Sequence, residues 1–219
     1  TSYTPYGATE CLPVSNISWK TIKKTSLPEN FPYKATCIGK KLESCDVRII
    51  KETEIKNISL SQTKELPFYE IGEIIVKGRQ ASPSYLDEKD ANEESKIKDL
   101  NGFWHKMGDL GFKDNEGKLW FCGRKAHKVT SSSTGKNYFS LPTELLFNSH
   151  PKIKKTALIK LQCGKKIEPA LIIQRLRQEE KLSTREAQSF KKDLLSRAAK
   201  SGHGEISKFF LHKKLRNYF

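Results

Sequence analysis

Nowhere in the 219 residues is there an apolar run long enough to cross a bilayer as a helix, so no transmembrane segment is expected. No leader of basic, apolar and small residues opens the chain, so no signal peptide is expected, although a cleaved leader or a shortened chain would read the same way. Cysteines are few and odd in number: Cys11, Cys37, Cys45, Cys122 and Cys163, none at C-x-x-C spacing. That argues against a disulfide framework or a zinc site and for reduced thiols in a cytoplasmic protein. There is no internal repeat and no aromatic–basic RNA-binding motif. Neither "SSSTGK" nor "CGKK" has the G-x-x-x-x-G-K-[ST] phosphate-loop frame.

What is present reads as globular. Hydrophobic residues make up 36% and aromatics 10% of a chain long enough for one large domain or two small ones. Lys and Arg outnumber Asp and Glu by 40 to 25, a net charge of +15. Such a balance suits nucleic acid or small anions such as ATP and pyrophosphate. The lysines are scattered rather than clustered on one segment, so nucleic acid is not the expected partner.

Along the chain, residues 11–36 read as irregular, punctuated by Pro13, Pro28 and Pro32, with one short helix near Ile17–Lys23. "DVRII" (46–50) and "GEIIVKG" (72–78) read as strands, with polar loop over 51–70 between them. The charged stretch 86–99 suits a solvated helix or excursion. "GFKDNEGKLWFCG" reads as a hairpin closed by "DNEG", with Gly117 able to take the left-handed conformation. Beyond Arg124, "AHKVT" predicts a short strand and "LPTELLF" a helix with Pro142 in its first turn. "KTALIKL" and "IEPALIIQ" predict buried strands, and "ISKFFL" a last strand. Between them, "STREAQSFKKDLLSRAAK" predicts a helix with a Ser183–Glu186 capping box and an apolar face of Ala187, Phe190, Leu194 and Ala198.

Three stretches carry candidate chemistry: "YGATE" (6–10), "GFWHKMGDLGF" (102–112) and "WFCGRKAHKV" (120–129). Glu10 is a hard oxygen ligand of the kind Mg²⁺ takes. Thr9 can donate a hydrogen bond to phosphate, and Tyr6 offers a face to a base. Asp109 can accept two hydroxyl hydrogen bonds, as from a ribose diol, and Arg124 carries a planar fork suited to phosphate or ribose oxygens. A tight hairpin could bring Asp109 and Arg124 to one nucleotide. Taken singly, Asp109 also reads as a turn or cap residue, Arg124 as half of a surface ion pair and Glu10 as a solvated carboxylate.

Their order and spacing resemble the adenylate-forming superfamily of acyl- and aryl-CoA synthetases, luciferases and peptide-synthetase adenylation domains. "YGATE" is similar to its Y-G-x-T-E motif and "GEIIVKG" to its G-E-i-x-v-x-G strand. "MGDLGFKDNEGKLWFCGR" resembles its G-D-x-x-x-x-d-x-x-G-x-x-x-f-x-G-R signature, and the likeness runs from Tyr6 to about residue 212. It implies that Glu10 helps hold Mg²⁺, Thr9 meets phosphate, Asp109 holds the ribose and Arg124 contacts the nucleotide. Phe121 would lie near the base, and Tyr6 and Gly7 would belong to the same nucleotide site. Within the superfamily, "YGATECLPVS", "GFWHKMGDLG", "WFCGRKAHKV" and "LPTELLFNSHP" look most similar to the β-lactone synthetases of bacterial long-chain olefin biosynthesis, a branch also labelled fatty-acid CoA ligases.

The resemblance implies an α+β architecture. Residues 1–123 would be the mostly β, barrel-like end of a large AMP-binding domain, and residues 124–219 a small α+β domain with a hinge near 124–126. Y-G-x-T-E lies deep in the superfamily's chains, so the sequence reads as a C-terminal fragment without the Gly-rich Ser/Thr phosphate loop or most of an acyl pocket. Two positions depart from the pattern. The hinge residue, usually Asp or Lys, is Ala126, and the closing G-K motif is replaced by "FFLHKKLRNYF", in which neither Lys213 nor Lys214 is assigned the catalytic role.

The expected activity is ATP- and Mg²⁺-dependent conversion of a long-chain β-hydroxy acid to a β-lactone through acyl-AMP, without CoA. The alternatives are a long-chain fatty-acid CoA ligase, a non-catalytic remnant and a basic binding protein. Expected partners are ATP and a long-chain β-hydroxy or fatty acid, with association with other enzymes of the pathway also open.

Overall fold

The computed structural model describes residues 2–27, 31, 34–176 and 182–212. Two compact units make it up, residues 1–27 with 35–126 and residues 28–34 with 127–219, so that Arg124, Lys125 and Ala126 fall in the first. No helix among the described residues is long and apolar enough to cross a membrane.

The first unit is built on β1 (Tyr3–Ala8), β2 (Cys11–Ser18), β3 (Thr36–Lys41), β4 (Cys45–Ile50), β5 (Gly72–Gly78), β6 (Lys96–Asp99), β7 (Gly102–Lys113) and β8 (Lys118–Arg124). They form one eight-stranded sheet in the order β1-β2-β3-β8-β7-β5-β4, with β6 paired to β7. The mostly β unit expected from the sequence is present. Among the described residues its strand path stays open from β1 to β4 and does not close into a barrel.

Strand β5 is covered on both faces, which is why "EIIV" is an unbroken apolar run. Ile74 and Val76 pack with Val14, Val47 and Met107, while Ile75 packs with Ile50, Ile97 and Trp104. The β7–β8 hairpin turns at Asp114, whose carboxylate accepts from the backbone N–H of Glu116 (3.0 Å) and Lys118 (2.8 Å) and from Trp120 Nε1 (2.8 Å). Gly117 closes the turn with φ 76°.

Three stretches differ from the sequence expectation. Residues 11–18 form β2 despite Pro13. The β1–β2 register steps from Tyr6–Ser15 to Ala8–Cys11, so residues 12–14 lie outside the ladder and the missing proline N–H costs no bond there. The short helix α1 (Trp19–Lys24) begins later than expected, after Ser18, which accepts from the Thr21 N–H at 3.1 Å. The charged stretch does hold a helix, α2 (Lys89–Ser95), but Lys96–Asp99 is strand β6. Its charges are met locally: Asp99 takes Lys77 Nζ at 2.6 Å and Trp104 Nε1 at 3.1 Å, while Ile97 is fully buried.

The second unit contains the short pair β9 (Val129–Thr130) and β10 (Asn137–Tyr138), helix α3 (Ser140–Asn148), strands β11 (Ile153–Cys163) and β12 (Lys166–Arg175), helix α4 (Thr184–Lys200) and β13 (Lys208–Leu211). β11 and β12 are antiparallel, and β13 returns parallel to β12. Of "AHKVT" only Val129–Thr130 is extended, because Lys125–His127 forms a 3-10 turn. The Ser183–Glu186 capping box forms as expected. Phe190, Leu194 and Ala198 of α4 pack with Phe147, Ile153, Leu171, Ile173 and Ile206. Ala187, expected on that face, is exposed, since the buried stripe starts one turn later. All five cysteines are free thiols. Lys213 and Lys214 lie outside the described residues.

Candidate functional site

The β1–β2 hairpin closes in two residues. Ala8 pairs with Cys11, which leaves Thr9 and Glu10 as the turn. Just before it, a Cβ on Gly7 would meet the Cys11 carbonyl oxygen and Leu12 Cδ1, each at 2.6 Å. "YGATE" is thus a strand residue with a ring, a residue that must be small, and a polar two-residue tip.

Asp109 owes its position to a bulge. Glu73 of β5 pairs with Leu110 of β7, but Ile75 pairs with Lys106, so two steps along β5 match four along β7. Residues 107–109 take up the excess, and Gly108 takes φ 67°, in the left-handed region that glycine adopts readily. On the other side Asp109 pairs directly with Arg124 of β8. The Asp109 side chain is almost wholly buried. Its Oδ2 accepts from Tyr6 Oη at 2.6 Å, and its Oδ1 forms an ion pair with Arg124 Nη1 at 2.9 Å. Arg124 also donates to the Met107 carbonyl at 3.3 Å. The Tyr6 ring lies 6.2 Å from that of Phe121, tilted by 46°. Burial pushes the Asp109 carboxyl above its ordinary range, against the opposing pull of Tyr6 and Arg124. Burial, with Asp109 beside it, also raises the Tyr6 phenol.

Beside this set lies a cleft of about 610 Å³ whose lining includes Gly7, Thr9, Glu10, Tyr85, His105, Lys106 and Arg124. Of the sequence-predicted residues, Gly7, Thr9, Glu10 and Arg124 line it. Tyr6 and Asp109, bonded to each other, and Phe121, whose ring neighbours that of Tyr6, are not part of the lining. Tyr85, Lys96, His105 and Lys106 were not among the predicted residues. His105 and Lys106 sit inside the "GFWHKMGD" motif, where two basic side chains interrupt a buried strand, and that is a readable signal. Tyr85 and Lys96 flank a polar stretch that offers none.

Tyr85 Oη donates to Glu10 Oε1 at 2.9 Å. Lys96 Nζ donates to the Ser82 carbonyl at 2.6 Å and lies 3.1 Å from His105 Nδ1. Burial, with Lys96 beside it, pushes the His105 imidazole down to about 4, so it is neutral at pH 7 and accepts from Lys96. Burial and the Glu10 bond push the Tyr85 phenol up to about 12. A bond from its own backbone, then the one from Tyr85 and the charge of Lys96, hold the Glu10 carboxyl below its ordinary value.

The donor chemistry fits Mg²⁺. Glu10 offers a carboxylate and Thr9 a hydroxyl on one turn beside the cleft, and Mg²⁺ commonly takes only one or two protein carboxylates, completing its shell with water and substrate phosphates. Among the described residues no three His, Cys, Asp or Glu side chains converge as a metal cage.

No family model matches the chain. It is 36% identical over 177 residues to an olefin β-lactone synthetase of Xanthomonas campestris, covering 78% of this chain and 31% of that protein. It is 31% identical over 154 residues to a 2-succinylbenzoate–CoA ligase of Bacillus subtilis, covering 70% of this chain and 26% of that protein. Among solved structures, o-succinylbenzoate CoA synthetase from Bacillus subtilis in complex with ATP and magnesium superposes with a TM-score of 0.69 at 28% identity, over 98% of this chain and 38% of that one. The chain therefore spans about a third of the length of the relatives it matches. By sequence and by fold, it is similar to a part of the AMP-forming ligases and synthetases of the adenylate-forming superfamily.

Proposed function

We propose that this chain is the nucleotide-binding and hinge-bearing part of an enzyme that activates a long-chain β-hydroxy acid as its acyl-adenylate and closes it to a β-lactone, releasing AMP. The observation that carries the reading is the assembly of Tyr6, Asp109 and Arg124, drawn from distant motifs, beside a cleft lined by Thr9 and Glu10. Asp109 takes the ribose hydroxyls once Arg124 moves aside to meet the nucleotide, and Phe121 borders the base. Thr9 donates to phosphate, and Glu10 holds Mg²⁺, which when bound neutralises phosphate charge. The hinge is at residues 124–126, with residues 1–123 belonging to the large domain and 124–219 to the small one. Five free thiols accord with a reducing, cytoplasmic setting.

Lactone closure needs no CoA tunnel, because the hydroxyl is tethered to the activated carbonyl at high effective concentration. The segment from Lys125 to Pro142 supports this acceptor. It holds a single glycine, Gly135, where CoA-using relatives are expected to have paired glycines. Three of its hydroxyls are committed to internal bonds: Ser131 Oγ and Thr134 Oγ1 donate to Glu205 at 3.2 and 3.0 Å, and Ser132 Oγ accepts from the Ile167 N–H at 2.9 Å. Similarity to the 2-succinylbenzoate–CoA ligase favours thioester formation as the second reading. The test supplies the intact protein with a long-chain β-hydroxy acid, ATP and Mg²⁺, with and without CoA, and identifies products by mass spectrometry. A β-lactone independent of CoA supports the proposal, and an acyl-CoA product overturns it. The 219-residue chain alone is expected to show no pyrophosphate exchange above background.

A further inference from the structure

We propose that Lys106 is an anion-binding residue of the first unit's cleft, holding the phosphoryl or carboxylate oxygens of a bound ligand. The inference deepens the nucleotide-site reading and rests on it for the ligand's identity. Lys106 is 8% exposed and is among the residues lining the cleft, as are Thr9, Glu10 and Arg124. Among the described residues its ammonium has no hydrogen bond and no carboxylate within the 4.0 Å of an ion pair. The other lysines held close to the sheet all have partners. Lys77 has Asp99 at 2.6 Å, Lys113 the Val47 carbonyl at 3.1 Å, and Lys96 the Ser82 carbonyl at 2.6 Å.

The charges that Lys106 feels are Glu73, Lys125, Glu54 and Glu94. Glu73, also buried, is already paired to Lys125 at 3.1 Å, and Glu54 meets that same ammonium at 3.1 Å. Lys125 therefore both takes up the nearest carboxylates and repels Lys106. The ammonium is not among the fully enclosed atoms and meets the cleft, yet a cation so largely withdrawn from water with no protein partner is costly, and such groups are ordinarily paired. An incoming anion supplies the missing partner. Thr9 and Arg124 on the same lining add donors for anionic oxygens, whereas Glu10 opposes an anion that arrives without a cation.

Isothermal titration of the 219-residue chain, with and without Mg²⁺, uses AMP, inorganic pyrophosphate and 3-hydroxydecanoate as probes. It compares the wild type with Lys106→Met, which keeps an unbranched stem, and Lys106→Arg, which keeps the charge. At least one probe is expected to bind the wild type, to weaken at least tenfold in Lys106→Met and to weaken less in Lys106→Arg. The ligand-free melting temperature of Lys106→Met should equal or exceed that of the wild type. Undiminished binding in Lys106→Met overturns the inference and leaves the nucleotide reading standing if AMP is the probe that binds. Pyrophosphate or 3-hydroxydecanoate binding that depends on Lys106, without AMP binding, keeps the inference, overturns the nucleotide reading and identifies the oxygen source. A wild type that binds no probe overturns the inference. So does a lower ligand-free melting temperature for Lys106→Met, which would make Lys106 a structural counter-charge for Glu73.

Discussion

Arg124 Nη1 lies 2.9 Å from Asp109 Oδ1, across a directly paired position of β7 and β8. Tyr6 holds the other oxygen of the same carboxylate. A ribose diol that binds Asp109 must therefore exchange with groups already in place. Arg124 can give way because half of its side chain is exposed, whereas Tyr6 is held in the sheet. Asp109→Ala should weaken AMP binding at least tenfold, since each hydrogen bond to a charged acceptor is worth about 1.5–3 kcal/mol. Calorimetric titration checks this, and an unchanged affinity would return Asp109 to the role of a structural turn residue. The melting of the second unit should not change.

Gly7 is a steric prediction. Its Cβ would stand 2.6 Å from the Cys11 carbonyl oxygen, which is backbone and cannot rotate away. Gly7→Ala should cost about 1–3 kcal/mol, the usual range for forcing atoms into a filled site. It should also displace the Thr9–Glu10 tip. Urea unfolding followed by Trp fluorescence measures the first effect, and Mn²⁺ affinity, with Mn²⁺ as a Mg²⁺ stand-in, measures the second. A wild-type denaturation midpoint would show that the hairpin relaxes freely.

His105 makes stability depend on pH. Its value falls from 6.5 to about 4 in the folded chain, so between those values the unfolded state binds the proton and the native state does not. Stability is therefore full above pH 6.5 and is lost as the pH falls toward 4, by about 3 kcal/mol at most for this group. His105→Asn keeps an acceptor for Lys96 but cannot titrate. Subtracting its pH–stability curve from that of the wild type should leave a slope confined to that window. Parallel curves would mean that His105 is protonated or exposed in the native chain.

The second unit has a core of its own, from Val129 and Tyr138 through Leu171 to Ile206. A polypeptide of residues 127–219 should unfold cooperatively, and Leu194→Ala, at a position 1% exposed, should cost it about 2–5 kcal/mol. Circular dichroism melts decide the matter. A broad transition without a baseline would mean that the core needs residues outside this span.

Much of this architecture is legible in the sequence, for reasons that can be named. Strand β5 matches its expected bounds because "EIIV" is apolar on both faces and glycines punctuate its ends. Helix α4 announces itself through Ser183 and Glu186. Strands β2 and β6 are hidden because their signals are non-local. Pro13 reads as a breaker until the register step beside it is known, and Lys96 and Asp99 read as solvated until Ser82, Lys77 and Trp104 are seen to hold them. The motif residues Tyr6, Asp109, Phe121 and Arg124 were legible as a set, and the structure brings them together. Tyr85 reaches Glu10 from 75 positions away, and no local pattern encodes that contact.

The bulge at residues 107–109 has a bearing on how such a site can change over time. Side chains alternate along a strand with a period of two, so the direction of Asp109 depends on the count of residues between Lys106 and Leu110 as much as on their identity. Point substitutions can sample the chemistry of those positions one at a time. Loss or gain of a single residue would leave β5 and β8 intact yet turn the carboxylate toward the other face, away from Tyr6 and Arg124. The segment should therefore tolerate exchange far better than insertion or deletion, and a deletion scan through it should extinguish nucleotide binding in odd steps.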